Sequence, residues 1–184
     1  MSRFFYLFLL VIFFTACGQS RKSNFLESAH APSNMHQDSF VNDFRRFGFT
    51  LKTPCKLEDV SSYSKGDFLV NYGGVLYPND HKKMVAYQLI VSRLPVGYRN
   101  LTKKQLENKV DEIILASMSN MKNVKSVSFG YEGYPGYVGE TTHNGLAQKG
   151  VIFLKDNYTI ALTVMTNDSI EAKFNAYTNG FKTK

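Results

Sequence analysis

The sequence predicts an α+β fold, a largely antiparallel sheet flanked by two helices, on three observations. Most of the chain from residue 47 onward alternates apolar and polar residues in strand-length runs. Tight-turn residues such as Asn144-Gly145 join neighbouring runs directly. Helical spacing is confined to two stretches, 102–121 and 168–181. The resulting order is three strands, a helix, about four strands and a final helix. Grouped strands of this kind build an antiparallel sheet, because a parallel sheet needs a crossover after nearly every strand.

Each element has its own local cause. Phe47, Phe49 and Leu51 alternate with Gly48, Thr50 and Lys52, a half-buried strand closed by Thr53-Pro54. Residues 67–77 form a less regular strand, in which Gly73-Gly74 suggests a bulge or a close backbone approach. Pro78-Asn79-Asp80 is a turn, and residues 84–94 put Val85, Tyr87, Leu89 and Val91 on one face, Gln88 and Ser92 on the other. Thr102 with Gln105 makes a capping box at the head of a helix over 102–121. Leu106, Val110, Ile113, Ile114, Ser117, Met118 and Met121 form its apolar stripe. Val127, Phe129 and Tyr131 alternate, Gly133-Tyr134-Pro135-Gly136 breaks the run, and residues 137–143, 146–155 and 158–166 follow as strands, with Asp156-Asn157 as a second hairpin turn. Asp168 with Glu171 reads as the cap of a last helix that turns Ile170, Phe174, Tyr177 and Phe181 inward.

The N-terminal residues follow different rules. Arg3 precedes eleven uninterrupted apolar residues, 4–14, and the small pair Thr15-Ala16, the layout of an export signal. Eleven helical residues span roughly 16 Å, too short for a bilayer core that takes ~20 residues. The run ending Thr15-Ala16-Cys17 resembles the lipobox of bacterial lipoproteins. That resemblance implies cleavage before Cys17 and acylation of its thiol, with Phe14 departing from the usual leucine. An ordinary secretory signal with a coincidental cysteine is the alternative. The chain then divides into a signal peptide (1–16), a lipidated cysteine with a flexible tether (17–38) and a single α+β domain (39–184). The tether is polar and unpatterned, with a root-mean-square reach of roughly 25 Å. Its His30 and His36 have no carboxylate or cysteine company and are expected to be solvated rather than metal ligands.

A formal net charge of +7 favours anionic surfaces. Expected partners are the membrane, through acyl chains on Cys17, and a protein or acidic glycan of the envelope; nucleic acid is not expected outside the cytoplasm. With Cys17 acylated, Cys55 is the remaining thiol, no intramolecular disulfide can form, and Cys55 is expected as a small, partly buried hydrophobe. Gly18 rather than Asp follows Cys17, which points to the outer membrane rather than inner-membrane retention.

Phe49-Thr50-Leu51-Lys52-Thr53-Pro54, the middle helix, Gly133–Gly136, the Asn157-Tyr158 strand start and the closing Gly180-Phe181-Lys182 together resemble the PsbP-like fold. Mog-type Ran-binding proteins and small bacterial lipoproteins share it. The resemblance covers roughly residues 44–183, with Cys55 where relatives often have glycine. It implies an α/β/α sandwich with a binding or scaffolding role, and it carries over no interface residue.

Candidate sites are few. His81 lies in a turn and His143 precedes another, so a Cys/His pair would have to join Cys55 to one of them across the fold. GxSxG, HExxH, P-loop and CxxC patterns are absent from the sequence. A non-catalytic binding module without cofactor or metal is therefore expected, with a scaffolding subunit of an envelope complex as the alternative and an enzyme less favoured. Tyr131, Tyr134 and Tyr137 cluster around a Gly/Pro break as a candidate binding surface. Their other reading is that they cover one end of the sheet. Asp168-Ser169-Ile170 resembles the short O-glycosylation signal of exported Bacteroidota proteins, which makes Ser169 a candidate glycosylation site; a helix cap next to a serine explains it equally.

Overall fold

The structure, a computed structural model, describes residues 39–61, 68–77 and 83–183. The signal, Cys17, the tether with His30 and His36, the Pro78–Asp80 turn and His81 lie outside the described residues.

β1 (Phe40–Phe44), β2 (Phe49–Thr53) and β10 (Phe181–Thr183) form a small antiparallel sheet in the order β1-β2-β10. β3 (Glu58–Asp59), β4 (Phe68–Leu76), β5 (Val85–Arg93), β6 (Lys122–Phe129), β7 (Tyr134–His143), β8 (Leu146–Lys155) and β9 (Tyr158–Thr166) form a seven-stranded sheet in the order β3-β4-β5-β9-β8-β7-β6. All its pairings are antiparallel. Asn144 (φ 49°) and Gly145 (φ 77°) make the two-residue turn between β7 and β8. That backbone twist matches the strands it joins, which is why Asn-Gly reads so clearly.

Both faces of the large sheet are covered. Tyr87, Leu89, Val91, Phe153, Ile160, Leu162 and Val164 meet the small sheet and helix α3 (Glu171–Asn179) on one face. Ile152, Leu154, Tyr137 and Val124 meet α1 (Lys103–Glu107), α2 (Val110–Ile114) and a 3-10 turn at Leu115–Met118 on the other. Two-sided burial is why the central strands β5 and β9 read as nearly continuous apolar runs. This is the expected α+β architecture.

Several local expectations are corrected. The helix over 102–121 begins at its Thr102–Gln105 capping box, but it is interrupted at Asn108-Lys109, where Lys109 adopts φ −114°. Asn competes for backbone groups and Val110, Ile113 and Ile114 are stiff at χ1, so packing of Leu106, Ile113, Ile114 and Met118 prevails over helical continuity. Asp168 is not the cap of α3. Ile170 occupies that position without a side-chain cap; the Asp168 carboxylate lies 3.1 Å from Lys173 Nζ, and Glu171 reaches across to Lys149. Phe47 ends a 3-10 turn, before a left-handed Gly48 and β2. The break after Phe129 is the Gly130–Gly133 turn, and Tyr134-Pro135-Gly136 already belongs to β7. Pro135 is tolerated there because it pairs with β6 alone, at Ser128. Of the two readings of Gly73-Gly74 the close approach holds, with Gly74 beside Lys56 and Cys55, and the register shift of β4 lies between Phe68 and Val70.

Two glycines of the resembling motifs have steric causes. A Cβ on Gly136 would stand 2.7 Å from Phe153 Cβ and overlap the Ile152 carbonyl oxygen. A Cβ on Gly180 would overlap the Lys52 carbonyl oxygen, while the Gly180 carbonyl accepts from Lys52 N–H at 2.9 Å. Gly180→Ala is expected to loosen β10 from β2 and cost ~1–3 kcal/mol in chemical denaturation, as overpacking generally does. Gly145→Ala, a turn position with open space and a positive φ, serves as the backbone-strain comparison.

Cys55, Tyr87 and Tyr177 form a buried polar cluster under the small sheet, with the Tyr87 and Tyr177 ring centroids 5.1 Å apart. Burial raises the Cys55 thiol from 9.0 to about 12 and Tyr87 from 10.0 to about 12, the latter helped by Cys55. Tyr177 is pushed well above 10.0 by the same burial. Folded values above unfolded ones mean that stability is complete below about 9 and falls as pH rises, because the unfolded chain releases these protons first. The thermal midpoint is expected to decline from about pH 9 towards 12. In Cys55→Ala the decline starts nearer pH 10, where tyrosine alone contributes; identical pH profiles for the two proteins would refute the thiol's share.

Candidate functional site

Among the described residues, the large cavity is an open cleft of about 820 Å³. The β6–β7 hairpin, β8, α3 and β10 build it. Val127, Phe129, Val138 and Val151 form its floor on the sheet side, with Phe174 and Phe181 opposite. Strand alternation explains the floor: Val127 lies opposite Gly136 and Val138 opposite Val151, and Gly136 leaves room for Phe153. Asn175, Thr178 and Asn179 give α3 a polar rim; Lys182 and Thr183 continue it on β10.

Two interactions fix the ends. Lys149 Nζ sits 2.6 and 2.7 Å from the Glu171 carboxylate oxygens and 5.5 Å from the Phe174 ring centre, so a cation projects from the sheet and is held by the helix. At the other end the Thr183 hydroxyl donates to Glu132, tying β10 to the β6–β7 turn. That bond, followed by a weaker one from Tyr134, holds the Glu132 carboxyl below the usual range. Burial and the Glu132 bond push Tyr134 up to about 12. Its ring lies against Phe153 at 6.0 Å, with Lys155 Nζ 5.7 Å from its centre. A second cavity, about 40 Å³ between the sheet and α2, has room for no more than a water or two.

The three tyrosines expected as one surface are divided. Tyr131 is fully exposed at the hairpin tip beside the cleft. Tyr134 packs on the small-sheet face, and Tyr137, three residues on, packs on the helix face. The Tyr137 hydroxyl donates to Asp111 Oδ1 at 2.5 Å, and this bond raises its pKa. Ser169 is exposed before α3, and its carbonyl accepts from Lys173 Nζ at 2.7 Å. Cys55 is buried and His143 is exposed at the end of β7. Among the described residues no group of three His, Cys, Asp or Glu side chains is placed to hold a metal ion. The cleft's lining offers one held cation, amide and hydroxyl groups and an apolar floor, the means to bind an amphipathic ligand.

Reasoning from sequence missed Lys149, Glu171 and the α3 rim. A signal for Lys149 was present: it shares a strand face with Val151 and Phe153, so a cation interrupts an apolar row.

The sequence matches no protein-family profile, and it matches no curated protein. Among solved structures it is similar to the solution structure of cyanobacterial PsbP (CyanoP) from Synechocystis sp. PCC 6803, with a TM-score of 0.51 and 11% sequence identity, over 86% of this chain and 99% of that one. At that identity the likeness is one of architecture, and the chain has a PsbP-like α+β fold.

Proposed function

We propose that this chain is an exported lipoprotein of the bacterial cell envelope, held at the outer membrane by acyl chains on Cys17, whose globular domain is a non-catalytic binding module. The cleft between the β6–β7 hairpin and α3 is its recognition surface. The observation that carries the binding role is the cleft itself. Its volume of about 820 Å³ falls in the range of ligand sites, its floor is apolar and its polar groups stand at the rim. Tyr131 projects beside it, as exposed tyrosines in recognition surfaces do. The positive net charge favours an anionic partner, a protein or an acidic glycan.

The anchor rests on the apolar run 4–14 and Thr15-Ala16-Cys17. Two or three acyl chains suffice for stable attachment at ~0.8 kcal/mol per buried methylene. Cys17→Ala is expected to lose fatty-acid labelling and move to the soluble fraction; a variant that stays membrane-bound refutes the anchor.

The cleft has a separate test. Immobilised chain is expected to retain envelope material, with retention falling in Asn175→Trp, which fills the rim, and in Tyr131→Ala. Tyr137→Ala, on the opposite face of the sheet, should retain as much as the wild type. Equal retention by all four proteins would discard the cleft, and protease treatment of the extract separates a protein ligand from a glycan.

A further inference from the structure

Among the described residues, both sheets end beside the cleft in a strand with one free edge. β6 is the last strand of the large sheet and β10 the last of the small one, and residues of both line the cleft. The two ends of the large sheet differ in length and charge. β3 is the acidic pair Glu58-Asp59, while β6 runs from Lys122 to Phe129 and carries no acidic residue. An open edge presents unpaired N–H and C=O groups to any strand that approaches. The register shift between Lys122 and Lys125, with Asn123 at φ 50°, twists the first part of β6 aside. Lys125–Phe129 is left as a regular edge of roughly 17 Å at ~3.4 Å per residue.

Charge selects what can pair there. Lys122, across the ladder from Glu140, and Lys125 are exposed, and neither makes an ion pair among the described residues. Full antiparallel pairing of this edge with that of a second copy would set Lys125 opposite Phe129 and supply no anion to either lysine, whereas an acidic strand would neutralise them. Lys125 shares the cleft-side face with Val127 and Phe129, so an added strand meets a cation and then two apolar side chains.

We propose that β6 accepts an extended acidic segment of a partner protein, which adds a strand to the large sheet and lays its alternate apolar side chains over the mouth of the cleft. This rests on the reading of the cleft as the recognition surface and names the chemistry of its occupant. Backbone hydrogen bonds supply the attachment, and the lysines supply the choice of partner.

The test uses the full chain in detergent with a synthetic peptide about seven residues long, Val-Thr-Val-Thr-Glu-Thr-Glu, which in antiparallel pairing sets Val opposite Phe129 and Val127 and Glu opposite Lys125 on the cleft-side face. Three probes are compared by fluorescence anisotropy: this peptide, its counterpart with Lys in place of Glu, and the acidic peptide with alternate backbone amides methylated. The acidic peptide is expected to bind about tenfold or more tightly than either, to weaken as salt rises and to slow amide exchange along Lys125–Phe129. Lys122→Glu with Lys125→Glu should invert the preference towards the Lys-containing peptide. Equal binding of the methylated peptide, slowed exchange at β3 instead of β6, or self-association through β6 would overturn the proposal. Should that happen while Asn175→Trp still abolishes retention of envelope material, the occupant is wrong and the cleft reading stands. Should Asn175→Trp have no effect while the peptide protects β6, the cleft reading fails and the edge remains a strand-addition site.

Discussion

The structure depends on four phenylalanines that join its two sheets. Phe181 on β10 lies 4.9 Å from Phe49 on β2 and 5.2 Å from Phe153 on β8, and Phe129 on β6 lies 4.2 Å from Phe153 and 5.5 Å from Phe181, centre to centre. Stacked, tilted and edge-on ring contacts of this kind add ~0.5–1.5 kcal/mol per pair beyond area burial. A three-residue strand such as β10 cannot hold itself by ladder hydrogen bonds. It is placed by Phe181, and through Phe181 it becomes a wall of the cleft.

Polar interactions then arrange what the aromatic contacts hold. Lys149 and Glu171 join β8 to α3 with the lysine side chain 18% exposed, so their attraction is less screened than that of the open Lys109–Glu112 pair, where both partners are about half exposed. The exposed pair contributes little to stability. The Lys149–Glu171 pair links α3 to the sheet beside the Asn175 rim and the Val151 floor, although its carboxylate side is 58% exposed. Glu132 does the same service at the other end through Thr183 and Tyr134.

Legibility in the sequence followed the distance over which each feature is determined. Strands β2, β4, β5, β8 and β9 were readable because each carries its own alternation or apolar run, and the Asn144-Gly145 turn because left-handed φ values favour those two residues. The Thr102–Gln105 box was readable because both halves lie within one turn. β1 was not: FVNDF is mostly exposed, and its partners on β2, Thr53 and Leu51 for the Asn42 amide and Phe49 for Phe44, lie seven or more residues outside its own window or across the turn. β10 was absorbed into the preceding helix because Phe181 continues the apolar spacing of Phe174 and Tyr177. Strand geometry divides the three tyrosines, since an odd separation places Tyr134 and Tyr137 on opposite faces. The cleft draws on residues 127–138, 149–151 and 174–183, which no local window brings together.

The position of the cleft follows from a shortage of cover. Seven strands spaced at about 4.8 Å make the large sheet roughly 29 Å wide, whereas a three-stranded sheet covers about 10 Å and one helix about 10 Å. On the face that carries the small sheet and α3, the second layer is therefore thin over part of the sheet. Central strands take the cover first, because β5 and β9 have apolar residues on both faces and lose most if exposed. The thinly covered strip falls at the β6 end, where Phe129 meets Phe181 but β6 and β7 are half-exposed and β6 carries lysines. A cleft with an apolar floor, a polar rim and a basic free edge is what remains when a seven-stranded sheet is covered by too little second layer. A strand added at that edge would extend the packing of the fold rather than add a separate feature to its surface.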